Sequence, residues 1–266
     1  PEIISSNPVL ARPETNADIM SMALRDAREL FEKQYLAAQI ERFGGHERPM
    51  FDRVVTGAQR VFDPRVRPAM ARDLQVVVVR RGDDRMHLLE RHAKRVMVVR
   101  VWRCGVNAGI GPVVVACCGP EIENVITKAG GQAVITDPDL PKGSDRIYAA
   151  LKEIESQKPG QLYEVIINLQ GDLPIISASL IHKVLAPLSD PAVDIATLAV
   201  PILDSEDLRN VNIVKVAITA PQQTSSGEKI GRALYFSRSP IPSGGQEHYH
   251  HIGIYAYRRS ALEAYV

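Results

Sequence analysis

Short apolar runs alternate with segments of helical periodicity from Leu74 onward, and this rhythm constrains the fold more than any other feature. The runs are nearly continuous in Val, Ile and Leu and are bounded by Gly, Pro or Asp, which is typical of strands buried on both faces. The predicted strands are 75–79, 112–118, 132–136 and 163–169, and the predicted helices are 96–109, 120–131, 144–156 and 177–188. Alternating strands and helices predict a parallel sheet covered on both faces.

The chain becomes rich in strands after Asp194, with little helical pattern between them. The apolar runs there are 194–202, 212–218, 232–237 and 249–258. Strands that follow one another without helices favour antiparallel or mixed pairing. We therefore predict an α/β fold, a three-layer sandwich with a Rossmann-like start and a mixed sheet.

Composition excludes several classes of protein. The chain has 266 residues, a formal net charge of +1 and 45% hydrophobic residues, which is typical of an ordinary globular protein. A net charge this small produces no strong electrostatic attraction to nucleic acid or to a membrane surface. No apolar run reaches the roughly 18 residues that a membrane span needs. Three cysteines are too few for a disulfide framework, so we expect a cytoplasmic protein with buried thiols.

The N-terminal part differs from the rest, and we predict a division into residues 1–72 and 73–266. Apolar residues follow helical spacing between Ala17 and Phe43, which predicts a helical appendage. Residues 46–72 are rich in Arg and broken by Pro, with weak periodicity, and we interpret them as a poorly ordered connector.

The stretch "VIINLQGDLPII", residues 165–176, runs a buried strand directly into a carboxylate. Ligands of open α/β sheets bind beyond the carboxyl ends of the strands, where Asp172 follows the predicted strand. A single carboxylate there suits Mg²⁺, which commonly uses one or two carboxylates together with substrate phosphates. Asp is also a common turn former, so the pattern alone leaves both interpretations open.

Two other segments carry polar groups at predicted strand ends. "KGSDR", residues 142–146, opens a helix whose backbone N–H groups could bind an anion, with Arg146 adding a bidentate contact; a plain helix cap with a solvated Arg explains it as well. In "HHIGIYAYR", strand alternation places His251, Gly253, Tyr255 and Tyr257 on one face. That face suits hydroxyl or carboxylate recognition, although a surface strand is an alternative.

Several of these stretches together resemble the 3-deoxy-manno-octulosonate cytidylyltransferases, the CMP-Kdo synthetases of Gram-negative bacteria. The resemblance spans residues 74–266 and rests on motifs in family order. These motifs are "KGSDRI" (142–147), "NLQGDLP" (168–174), "DIATLAVPI" (194–202), "NVNIVKV" (210–216), "RALYFSRSPIP" (232–242) and "YHHIGIYAYRRSALEAYV" (249–266). Each motif is weak alone, and six in order over about 125 residues are specific.

The resemblance implies transfer of CMP from CTP to the acidic sugar Kdo, giving CMP-Kdo and pyrophosphate for lipopolysaccharide biosynthesis. It implies Mg²⁺ as cofactor and a homodimer in the family, with no membrane or nucleic-acid partner. The matching positions imply Asp172 as metal ligand and catalytic residue. They imply Ser144 and Arg146 for nucleotide binding, and Gln170, Arg238, His251 and Tyr255 for sugar binding.

The family's phosphate loop aligns with residues 78–95, where Arg80 and Arg85 keep the family spacing. The resemblance implies that both arginines bind the nucleotide phosphates and take part in catalysis. Asp83 and Asp84 replace a Ser-Thr pair, and carboxylates repel a triphosphate at close range unless further Mg²⁺ intervenes.

A second difference concerns the carboxyl end. The family continues past the segment that matches 249–266 and supplies another metal-binding Asp, whereas this sequence ends at Val266, as if truncated at the C-terminus. Two alternatives therefore stay open. Besides a CMP-Kdo synthetase, these are a catalytically impaired remnant or fusion that keeps the fold, and a cytidylyltransferase for another acidic sugar.

Residues 20–45 resemble a different family, the NtrX-like nitrogen-regulation response regulators. The match is to the helix that precedes their helix-turn-helix, which does not follow here. A DNA-binding role for the chain therefore has little support.

Overall fold

The computed structural model describes residues 55–59, 74–79, 88–173, 176–224, 227–244 and 247–266, with side chains from Met97 onward. The chain divides into two compact units, the first of residues 1–45 and 87–93 and the second of residues 46–86 and 94–266. Of the first unit only residues 88–93 are described, so the features below belong to the second. The predicted N-terminal helix lies outside the described residues.

Strands and helices alternate through the first half of the described chain. The strands are β1 (Val55–Gln59), β2 (Leu74–Val79), β3 (Val113–Cys117), β4 (Gln132–Ile135), β5 (Val165–Gln170), β6 (Ile195–Pro201), β7 (Lys215–Ile218), β8 (Gln222–Gln223), β9 (Lys229–Ser237) and β10 (Tyr249–Arg258). The helices are α1 (Leu88–Ala108), α2 (Pro120–Lys128), α3 (Gly143–Ser156), α4 (Ala178–Lys183), α5 (Ser205–Arg209) and α6 (Arg259–Tyr265), with a 3-10 turn at Ala186–Ser189.

All these strands join one mixed sheet in the order β4-β3-β2-β5-β10-β6-β1-β9-β7, with β8 paired to β9. Strands β2, β3, β4 and β5 are parallel, as the helices between them require. Strand β10 enters between β5 and β6 and is antiparallel to both. The predicted α/β class and mixed sheet are confirmed.

Both faces of the sheet are buried. Ile166 of β5 lies in a cluster with α3 and α6, whose members include Leu151 and Leu262. Ile167 and Leu169, which point to the opposite face by alternation, are also fully buried. The predicted three-layer arrangement follows from this double burial.

Local signals set several element boundaries. Pro120 is the first residue of α2, where a missing N–H costs nothing. The hydroxyl of Ser177 accepts a hydrogen bond from the backbone N–H of Leu180 and caps α4, as predicted. The predicted helix 177–188 is nevertheless wrong beyond Lys183, because the chain tightens into a 3-10 turn around Pro187.

The structure differs from the sequence prediction at residues 55–59, which lie in the stretch interpreted as a poorly ordered connector. They form β1, antiparallel to β6 and parallel to β9. Five residues that include one Gly give too short a pattern to stand out among Arg and Pro. The rest of the predicted N-terminal part, residues 1–54 and 60–72, lies outside the described residues.

Candidate functional site

The strand order reverses at the junction of β2 and β5, which is where open α/β sheets bind ligands. From β2 the chain passes to β3 and β4 on one side, and β5 then returns to the other side of β2. Val79 and Gln170, the last residues of β2 and β5, are register partners. The crevice beyond these two strand ends is therefore the candidate site.

A tight turn follows β5 and exposes Asp172 at this edge. The backbone N–H of Leu173 donates to the carbonyl of Gln170 across 3.3 Å, which closes a turn with Gly171 and Asp172 at its centre. Gly171 and Leu173 are buried, whereas Asp172 is exposed. The two open interpretations of Asp172 are therefore compatible, since it is a turn residue and also presents its carboxylate at the strand ends.

The side chain of Gln170 packs against strand β10 at Gly253. A Cβ atom placed on Gly253 would stand 2.8 Å from Oε1 and 3.0 Å from Cδ of Gln170. The bare backbone of Gly253 therefore makes room for the amide of Gln170, which is half-buried against it. Gln170 and Gly253 thus bring β5 and β10 together at the site.

His251 of β10 is buried and contacts Thr197 of β6. Nε2 of His251 lies 2.9 Å from Oγ1 of Thr197. Burial, and secondarily the neighbouring His250, lower the pKa of His251 to about 4. The ring is therefore neutral near pH 7 and can take part in hydrogen bonds without carrying charge.

Aromatic rings form a continuous row along the face that carries His251. Neighbouring ring centroids are 5.0 to 6.4 Å apart, in the order Phe236, His251, Tyr255, Tyr257 and Tyr265. Burial, and secondarily the charge of Tyr265, raise the pKa of Tyr255 to about 12, so its hydroxyl stays protonated and can donate. The predicted shared face of His251, Tyr255 and Tyr257 is confirmed.

Ser144 and Arg146 open helix α3 and are both buried. The Asp145 carboxylate accepts from the backbone N–H of Lys142 and fixes the helix start. Arg146 donates to Oγ1 of Thr136 across 2.6 Å and to the carbonyl of Pro138 across 3.3 Å. Arg146 therefore holds the loop after β4, and the helix cap with a solvated Arg is wrong because this guanidinium is buried.

Lys142 connects this segment to the aromatic row. Its Nζ lies 5.3 Å from the ring centroid of Tyr265, within the range of a cation–π contact. The start of α3 and the end of α6 therefore meet on the same side of the sheet.

Arg238 follows β9, is exposed, and donates from Nη1 to the carbonyl of Val211 across 2.9 Å. Its own carbonyl accepts from the ammonium of Lys215 across 3.0 Å. Lys215 is fully buried and also donates to the carbonyls of Asn210 and Ile213, across 2.6 Å and 3.1 Å. One buried cation thus ties the segment of Arg238 to the 210–213 loop.

Two predicted site residues, Arg80 and Arg85, lie outside the described residues. Of the others, the contacts join Gln170, His251 and Tyr255 through strand β10, with Asp172 two residues from Gln170. Arg238 is linked to this group through Phe236, two residues earlier, whose ring touches His251. Ser144 and Arg146 lie farther along the edge, after β4.

The described residues contain no group of three or more His, Cys, Asp or Glu side chains that could hold a metal ion. Within the same ranges no helix is long and apolar enough to cross a membrane. Cys104, Cys117 and Cys118 are free thiols, and burial raises the pKa of Cys104 and of Cys117. Cys104 and Cys117 therefore show no sign of nucleophilic activation.

Sequence reasoning missed Thr197 altogether and gave Lys215 and Gly253 no role in the site. A Lys inside the apolar strand "IVKVAI" signals a buried cation that needs acceptors, and this signal was available. Thr197 and Gly253 gave no such signal. Their roles depend on contacts between strands that lie far apart in sequence.

Comparisons with known proteins identify the family of the chain. A profile of the family described as cytidylyltransferase matches residues 88–266. The "3-deoxy-manno-octulosonate cytidylyltransferase" of Paramagnetospirillum magneticum is 46% identical over 170 residues, which cover 64% of this chain and 66% of the relative. The protein of the same name from Bradyrhizobium sp. is 49% identical over 170 residues, with the same two coverages.

A solved structure of CMP:2-keto-3-deoxy-manno-octonic acid synthetase complexed with CTP superposes with a TM-score of 0.57 at 30% identity. The match covers 73% of this chain and 77% of that one. The chain spans just under two thirds of the length of the first two curated relatives, 66% and 65%. From the family profile and the shared fold, the chain belongs to the cytidylyltransferase family.

Proposed function

We propose that the protein transfers CMP from CTP to 3-deoxy-manno-octulosonate (Kdo), giving CMP-Kdo and pyrophosphate for lipopolysaccharide biosynthesis. The observation that carries the proposal is the grouping of Gln170, His251 and Tyr255 beside the strand ends where the sheet order reverses. Relatives that share 46% and 49% identity are named for this reaction.

The proposed reaction is a displacement at the α-phosphorus of CTP. The anomeric hydroxyl oxygen of Kdo forms the new bond to this phosphorus, the bond to the bridging oxygen of the β-phosphate breaks, and pyrophosphate leaves. The hydroxyl proton passes to solvent. Such transfers depend mainly on positioning and on stabilising charge.

The sugar half of the site suits a polyhydroxy acid. Tyr255 is a protonated donor, His251 is neutral, and the amide of Gln170 offers both a donor and an acceptor. Arg238 is exposed and uses only Nη1 in the contact with Val211, so its remaining N–H groups can bind a carboxylate in a bidentate manner.

The nucleotide half is proposed to include Ser144, Arg146, Arg80 and Arg85. Arg146 has five N–H donors, and the structure accounts for two of them. The backbone at the start of α3 adds N–H groups that favour an anion.

Mg²⁺ is the proposed cofactor, and the donor set fits it in part. Asp172 offers an exposed carboxylate oxygen at the strand ends, and Mg²⁺ commonly combines one or two carboxylates with substrate phosphates. When bound, the ion would neutralise the negative charge of the phosphates. Asp172 would then hold the phosphates close to the sugar half.

Release of pyrophosphate tests the proposal. Purified protein is supplied with CTP and Mg²⁺, and with Kdo, sialic acid or no sugar. We expect release with Kdo and little with the other two. Release with sialic acid alone would reassign the sugar, and release no greater than in the blank would contradict the activity.

A second candidate is a fold that has lost its chemistry. Asp83 and Asp84 favour it, because carboxylates in a phosphate loop weaken triphosphate binding. Replacing this pair by Ser-Thr distinguishes the two candidates. A remnant would gain CTP binding from that change, whereas an active enzyme would bind CTP before it.

The cytoplasm as location and a homodimer as assembly belong to the same proposal. The free thiols and the relatives' function support the location. The homodimer rests on the family resemblance alone. We propose no membrane partner and no nucleic-acid partner.

A further inference from the structure

Strand β10 bulges opposite Thr197, and this irregularity brings three groups to one hydroxyl. Ile252 pairs with Leu198, but the next partner of β6, Thr197, pairs with Tyr255, so two residues of β10 are extra. Oγ1 of Thr197 lies 2.7 Å from the carbonyl oxygen of Ile254 and 3.3 Å from that of Ile252. It also lies 2.9 Å from Nε2 of His251.

The positions of these acceptors fix where the protons lie. A threonine hydroxyl has one proton, and without a proton between them two oxygens at 2.7 Å would repel. The hydroxyl therefore donates to the carbonyl of Ile254, with Ile252 as a weaker second acceptor. Its one proton is thereby committed, and a lone pair of the oxygen faces Nε2 of His251, so Nε2 carries a proton and donates.

The proton on Nε2 determines what His251 offers to a ligand. A neutral imidazole has one protonated and one bare nitrogen, so a protonated Nε2 leaves Nδ1 as a hydrogen-bond acceptor. Within the ranges that carry side chains, no group is found to donate to Nδ1. The ring is further held between Phe236 and Tyr255, at 5.0 Å and 5.2 Å.

We propose that Thr197 is a positioning residue that locks His251 in the Nε2–H form, so that Nδ1 accepts a hydrogen bond from a hydroxyl of the acidic sugar. This inference rests on the proposed function and adds to it a specificity element. Tyr255 donates a hydrogen bond and Nδ1 of His251 accepts one. The pair therefore suits a ligand rich in hydroxyl groups, because a ligand group that only accepts hydrogen bonds cannot pair with Nδ1. Thr197 is 4% exposed and acts only through His251.

The first test reads the tautomer directly. The full chain is labelled with ¹⁵N at histidine, and long-range proton–nitrogen correlation spectra are recorded near pH 7, with the His251→Gln variant identifying the signal. We expect a protonated Nε2 and a bare Nδ1 in the wild type, and loss of this fixed state in Thr197→Val. A protonated Nδ1 in the wild type would overturn the proposal.

The second test measures Kdo affinity by calorimetry for Thr197→Val and Thr197→Ser. Valine keeps the shape and loses the hydroxyl, whereas serine keeps the hydroxyl. We expect Kdo affinity to fall about 3- to 10-fold in the valine variant, the size of one neutral hydrogen bond, with CTP affinity unchanged. Serine should restore most of the loss.

The two tests can contradict two different claims, the role of Thr197 and the proposed function. Equal Kdo affinity in the wild type and both variants would overturn the positioning role of Thr197. Absence of Kdo binding in the wild type would refute the proposed function, and the tautomer spectra would still decide whether Thr197 orients His251.

Discussion

The two halves of the candidate site are built differently. In the nucleotide half, Arg146 reaches Thr136, ten residues away in sequence, within one loop–helix unit. In the sugar half, His251 reaches Thr197 from 54 residues away and Lys215 reaches Arg238 across 23 residues. The first half depends on local structure at a helix start, whereas the second depends on the register of the antiparallel strands.

This difference predicts which changes act on which substrate. Local contacts form whenever the β4–α3 unit folds, so substitutions in that unit should weaken binding of the nucleotide. Contacts across β6, β7, β9 and β10 hold the sugar half, so damage there should affect the sugar and the stability of the sheet.

Asp172→Asn should have the largest effect, because Asp172 lies at the strand ends between the two halves. If it holds Mg²⁺, we expect kcat to fall roughly 100- to 1000-fold with little change in thermal stability. Pyrophosphate release measures the rate, with Glu121→Gln on α2 as an exposed control that removes one carboxylate. Activity close to wild type would remove Asp172 from the mechanism.

Lys215→Met should lower the free energy of unfolding by about 3 kcal/mol, because three carbonyls lose the same buried, charged donor. Urea unfolding measures the loss, and Lys229→Met at the exposed start of β9 is the matched control. We also expect the substitution to reduce the affinity for Kdo more than the affinity for CTP, because the segment that carries Arg238 is no longer held in place. An equal loss for both substrates would mean that the halves are not separate.

The low pKa of His251 predicts a stability that depends on pH. The unfolded chain binds this proton near pH 6.5 and the folded protein only near pH 4, so the free energy of unfolding falls as the pH drops between them. The contribution of neutral, buried His251 to the free energy of unfolding is fully present above pH 6.5, and about 2 to 3 kcal/mol of it is lost by pH 4.

His251→Gln isolates this contribution. We expect the variant to lose less stability than the wild type between pH 7 and pH 4, measured by urea unfolding at each pH. Parallel pH profiles would show that His251 has an ordinary pKa and is not buried as described.

Gly253→Ala should have the smallest effect. The new Cβ would displace the flexible amide of Gln170, so we expect a few-fold weaker affinity for Kdo and little change in stability. A double-mutant cycle with Gln170→Ala checks the route. In that background Gly253→Ala should add almost nothing, and an additive effect would show that Gly253 acts elsewhere.

Much of the fold could be predicted because its signals are local. Apolar runs of Val and Ile, Pro120 and the Ser177 cap marked the elements from β3 to β5 and the start of α4 within a few residues. Strand β1 was not predicted, because five residues without alternation do not stand out from their surroundings. The order of strands after β5 needed long-range pairing that no short pattern encodes.

The site shows the same limit. Alternation along β10 correctly placed His251, Tyr255 and Tyr257 on one face, and the end of β5 pointed to Asp172. The roles of Thr197 and Gly253 could not be predicted, because the bulge in β10 brings them to their partners. The nucleotide roles of Arg80 and Arg85 stay predictions.

The most direct test of two separable halves compares Ser144→Ala with His251→Gln by titration calorimetry with CTP and with Kdo. We expect Ser144→Ala to weaken CTP binding and leave Kdo binding unchanged, and His251→Gln to do the reverse. If both variants weaken binding of the same substrate, or if neither substrate binds the wild type, the site is not built from two separable halves.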